Sequence, residues 1–73
     1  MKKIYQKIHS YTFDNGRGGD GEHTERASFL TLEKAIENAK WWIAKPEPWM
    51  DTTVTHIEII NKETGKLEWS YKA

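Results

Sequence analysis

The chain has 73 residues, no cysteine, and 11 Lys or Arg against 11 Asp or Glu, a formal net charge of zero. That length makes one small domain with a thin core, and without cysteine neither disulfides nor a thiolate metal site can staple it; one helix packed on a sheet, or self-association as a homodimer, must supply the stability. Neutrality argues against a general nucleic-acid binder and against an acidic DNA mimic.

Residues 4–13 are rich in β-branched and aromatic side chains and read as a strand. Alternation puts Ile4 and Ile8 on one face and Tyr5, Lys7, His9, Tyr11 and Phe13 on the other. Residues 14–22 form a glycine-dense loop, and residues 23–30 return as a second strand, so residues 3–30 are expected to be one long hairpin with a mobile tip.

Thr31 is a good helix N-cap, with Glu33 well placed in the first turn. Leu32, Ala35, Ile36, Ala39 and Ile43 recur at helical spacing and predict a helix over residues 31–44. It should stop near Ala44, because Pro46 disfavours helical geometry at Lys45. Pro46 and Pro48 are expected to hold the following segment stiff and extended.

Residues 52–61 are the clearest strand, and a turn at residues 61–65 leads to a partner strand, giving a second hairpin over residues 52–72. Leu67, Trp69 and Tyr71 mark the apolar face of its last strand. The expected fold is α+β, of order ββαββ: a four-stranded antiparallel sheet with one helix on one face and the other face open.

Few residues favour chemistry. Gly16-Arg17-Gly18-Gly19-Asp20-Gly21 matches G-x-G-x-x-G, but a dinucleotide site needs a βαβ unit around it, and this glycine run lies between two strands. Asp14, Asp20 and Glu22 lack the spacing of a calcium loop. His9, His23 and His56 fall in no metal-ligand pattern, so no metal or cofactor is expected. His56 and Glu58 share a strand face and are the best acid/base pair on offer, yet such pairs are common on wet sheet faces. The serines have no nucleophile-elbow context, and no enzyme activity is expected.

Binding is better supported. Trp41 and Trp42 are adjacent on the helix and point about 100° apart, so one apolar stripe cannot hold both. Trp42 borders the stripe, and Trp41 falls on the side opposite Leu32. Trp49 follows in Lys45-Pro46-Glu47-Pro48-Trp49-Met50. Large rigid aromatics near a surface favour contacts with a partner, although Trp41 folded beneath the proline segment is an equal alternative. If Ile4 and Ile8 face the helix, Tyr5, Lys7, His9 and Tyr11 line the open side, where aromatics interleaved with cations suit single-stranded nucleic acid.

The order of elements in residues 4–13, 26–44, 54–61 and 67–71 resembles small phage-encoded inhibitors, in particular the anti-CRISPR proteins built as an antiparallel sheet with one helix. That resemblance is of layout and transfers no functional residue. It implies inhibition by docking on a host protein complex, in the host cytosol. No apolar run is long enough to span a bilayer, and Met1-Lys2-Lys3 precedes no signal-type stretch, which agrees with a cytoplasmic setting. The sequence therefore points to a protein-binding module with Trp41, Trp49, Arg17, Tyr5 and Tyr11 as contact residues, and secondarily to a single-strand binder using Tyr5, Lys7, His9 and Tyr11.

Overall fold

In a computed structural model, which describes residues 2–13 and 21–73, the elements are β1 (Tyr5–Phe13), β2 (His23–Phe29), α1 (Leu32–Ala44), β3 (Thr52–Asn61) and β4 (Leu67–Lys72). The expectation for the glycine loop, Arg17 included, lies outside the described residues. The strands form one antiparallel sheet in the order β2-β1-β3-β4, so the first strand of each hairpin meets at the centre. The ββαββ expectation holds.

Local chemistry sets the helix ends. Thr31 is extended, and its Oγ1 accepts a 3.1 Å hydrogen bond from the Lys34 N–H, which satisfies an orphan donor of the first turn. At the other end Lys45 turns left-handed (φ 51°, ψ 57°) and its N–H bonds the Trp41 carbonyl. Ala35 and Ala39 are fully buried, which lets α1 approach Ile57 and Ile59 of β3 closely. Leu32, Ile36, Trp42 and Ile43 flank that contact, and Trp69 and Tyr71 of β4 extend it.

Three expectations need correction. The register pairs Tyr5 with Asn61, Lys7 with Ile59 and His9 with Ile57, so the face bearing Tyr5, Lys7, His9 and Tyr11 is the one that α1 covers. Lys7 is 1% and His9 4% exposed. Ile8 instead pairs with Arg26 and Glu58 on the open face. The reason is area. Aromatic rings and a lysine stem carry more apolar surface together than two isoleucines, and the helix brings an amide to meet the lysine head. Leu67 is the same kind of case: a bulge between Ile59 and Ile60 sets it opposite Ile60, half exposed, while Trp69 and Tyr71 stay inward.

The proline segment is not extended. Met50 N–H bonds the Glu47 carbonyl at 3.1 Å, closing a turn with Pro48 in its second position, where a fixed φ suits it. This turn folds Trp49 back onto the helix and buries Met50.

Candidate functional site

Three tryptophans meet at the C-terminal end of α1. Trp41 and Trp42 are T-shaped with centroids 5.0 Å apart; Trp49 lies 6.0 Å from the first and 6.2 Å from the second. The two contacts of Trp42 are edge-to-face and the Trp41–Trp49 pair is tilted at 51°, arrangements that hold rings in place without hiding them. Trp49 remains 60% exposed, whereas Trp41 and Trp42 are half-buried. Trp41 thus touches Trp49 of the proline segment and still reaches solvent.

The cluster separates two concavities. On the β2 side, a wide groove of about 900 Å³ runs between α1 and the edge strand. Phe29, Leu30 and Trp41 give it apolar lining, and Leu30 is 44% exposed. Lys3, Lys34 and Lys40 supply cations against the single carboxylate of Glu37.

On the other side, a smaller cavity of about 190 Å³ lies where the α1–β3 connection passes the ends of β1 and β2. Trp42, Trp49, Tyr11 and Phe13 give it four aromatic rings. Met50, Asp51 and Thr52 come from the connection, and Glu25 from β2. The Tyr11 hydroxyl donates a 3.1 Å hydrogen bond to Glu25 Oε1, and burial together with that carboxylate raises its pKa. His9 also lines the cavity and stacks on Trp42 at 5.5 Å.

Beneath this end of the helix sit two buried titratable groups. Lys7 Nζ hydrogen-bonds Asn38 Oδ1 and lies 5.8 Å from the Trp42 ring centroid. Burial pushes its pKa down to about 8, opposed by the charge of Glu25. The pKa of His9 is lowered by burial and by Lys7, with Glu25 opposing, and its Nδ1 has no hydrogen-bond partner among the described residues. A neutral imidazole is the state this setting favours.

The structure therefore brings together Trp41 and Trp49, and places Tyr11 in the cavity with Trp49. It sends Tyr5 away, into the core beside Phe29. His9 and His23 both lie near Tyr11, while His56 pairs with Ser10 and Lys72 on the open face, so the three histidines do not converge. Among the described residues no group of three or more His, Cys, Asp or Glu is placed to hold a metal ion. Sequence reading missed Glu25, Leu30, Lys34, Lys40 and Asp51. The hairpin register alone would have found Glu25, since it pairs with His9. Lys34 follows from its helical spacing with Trp41, but only once the adjacent edge strand is known; Lys40 is the chain neighbour of Trp41 and does not share that spacing.

Fold and site together define a small α+β domain with aromatic-lined surface concavities. No protein family, characterised protein or solved structure matches this chain. No helix among the described residues is long and apolar enough to cross a membrane.

Proposed function

We propose that this protein is a non-enzymatic binding module that docks another protein in the groove between α1 and β2. The observation that carries this reading is the groove itself: an apolar strip of Phe29, Leu30 and Trp41 edged by Lys3, Lys34 and Lys40. Rigid aromatics supply contact area at low entropic cost, and rim lysines steer an oppositely charged partner. The matching surface is acidic at its rim and apolar at its centre. The most specific form of this reading is a phage or mobile-element inhibitor acting on a host complex in the cytosol, which rests on the layout of elements alone.

The single-strand alternative loses its geometric basis, because Lys7 and His9 lie beneath the helix. Affinity capture from candidate hosts tests the docking reading with four baits: wild type, Trp41→Ala, a charge-reversed Lys34→Glu/Lys40→Glu double variant, and Arg26→Ala as a control. A partner retained by wild type and by an open-face control, Arg26→Ala, but lost by the other two supports it. Equal capture by all four sinks it.

A further inference from the structure

We propose that the cavity between Trp49 and the β1–β2 end of the sheet is a binding site for a quaternary or methylated ammonium group. The site is separate from the groove and stands whether or not the groove docks a protein.

The argument starts from the rings. Trp42 and Trp49 meet at 82° and Tyr11 and Phe13 at 74°, so each pair forms a corner and not a flat stack. The two corners border one space; His9 stacks on Trp42 and His23 on Tyr11, so the exposed ring of Trp49 is the face most open to a guest, and an aromatic face attracts a cation through its quadrupole. The volume, about 190 Å³, suits a compact head group and excludes a drug-sized ligand.

Charge points the same way. The described lining holds two carboxylates, Glu25 and Asp51, and no lysine or arginine. His9, the one basic side chain present, is held toward its neutral form by burial, so it does not oppose a cation. Lys7 already places an ammonium 5.8 Å from the Trp42 centroid, an intramolecular instance of the same attraction, but it is bound to Asn38 and does not line the cavity. A bare ammonium or guanidinium would ask for hydrogen-bond acceptors on every side. A methylated ammonium asks mainly for aromatic faces, with Glu25 supplying the countercharge.

Access is open on one side, since Trp49 is 60% exposed. The same exposure means Trp49→Ala can be made without removing core. The chemistry has two sources, a free small amine or a methylated lysine on another protein, and the test separates them.

Calorimetric titrations of the whole protein would use choline, a trimethyl-lysine peptide, and 3,3-dimethyl-1-butanol, the uncharged isostere of choline. Choline or the peptide should bind with a Kd in the range of about 0.1–5 mM, and the isostere about tenfold more weakly or not at all. Binding of both cations identifies a site for the head group alone; binding of the peptide only identifies methylated protein as the source. Trp49→Ala and Glu25→Gln should each weaken binding about fivefold or more, with thermal melts confirming that both fold. Equal affinity for the isostere, no binding of either cation, or unchanged affinity in Trp49→Ala overturns the proposal.

Discussion

Lys7, on the central strand β1, is 1% exposed and spends its ammonium on one side-chain acceptor, Oδ1 of Asn38 on α1. A buried charge with one neutral partner is a costly arrangement, and the depressed pKa of about 8 reports that cost. The sign follows from linkage. The unfolded chain holds the proton up to about pH 10.5, the folded one only to about pH 8, so folding stability should rise as pH climbs from 8 toward 10. Lys7→Met should remove that rise and raise stability at pH 7 by about 1–3 kcal/mol. Asn38→Ala should lower it by about 2 kcal/mol, because the ammonium then has no acceptor. Urea denaturation at pH 7, 8, 9 and 10 measures both. A loss in Lys7→Met as large as that in Asn38→Ala would show the ammonium to be a net stabiliser.

His9 should govern the acid side. Its folded pKa lies below the ordinary 6.5, so its contribution is fully present above that pH and is lost as pH falls through the folded value. His9→Phe keeps the stacked ring against Trp42 and removes the unpartnered Nδ1. It should stabilise the protein by about 1–2 kcal/mol at pH 7 and flatten the fall below pH 6. An unchanged acid limb would mean that carboxylates, not His9, set it.

How far the fold could be read from sequence differs by element. The helix was fully legible, because Thr31, the Leu32–Ile43 stripe and Pro46 are local signals for its start, face and end. The face of β1 was not. Alternation fixes which residues share a face but not which face the helix takes, so the side of Ile4 and Ile8 and the side of Tyr5, Lys7, His9 and Tyr11 are equally available to it on local pattern. The decision was made by Asn38, some thirty residues away, and by the ring of Trp42. The Glu47–Met50 turn was missed because two prolines were read as an extended pair, when Pro48 also fits the second position of a turn. Trp49 reaches the other tryptophans only through that turn.

The second hairpin depends on Asn61. Its Oδ1 accepts the Glu63 N–H at 2.9 Å and the Thr64 N–H at 3.3 Å, and its carbonyl accepts the Gly65 N–H at 2.7 Å. Gly65 takes φ +76°, which a side chain resists even though open space surrounds its Cα. Asn61→Ala and Gly65→Ala should each cost about 1 kcal/mol, read as a fall in melting temperature. A neutral Gly65→Ala would show that the turn relaxes to another type.

Single-stranded nucleic acid is expected to bind poorly. With Tyr5 in the core and Lys7 and His9 beneath α1, Tyr11 alone of the strip keeps a partly open ring, too little for successive bases to stack on. Labelled DNA and RNA oligonucleotides should show no binding below about 100 μM at physiological salt, since few phosphate contacts are on offer. Micromolar binding that disappears in Tyr11→Ala would reinstate the strip and displace the docking reading.

The tryptophans should separate into three grades. Trp42 packs against the buried core and stacks on His9, so Trp42→Ala removes a large ring from a thin core and should cost about 3–5 kcal/mol, enough to unfold a domain of this size. Trp41 is half-buried, with one ring edge against Trp42 and another neighbour in Trp49; Trp41→Ala should cost about 1–2 kcal/mol. Trp49 is mostly exposed, and Trp49→Ala should cost about 0.5 kcal/mol. The stability order and the binding order should then differ. Trp41→Ala weakens protein docking in the groove by about 2 kcal/mol if it anchors the partner, while Trp49→Ala spares docking and empties the cation cavity. Thermal melts of the three variants establish the first order, and binding of partner and of choline establishes the second. If Trp41→Ala unfolds the protein as Trp42→Ala does, the half-buried ring is structural. The groove must then dock its partner through Leu30 and the lysines alone.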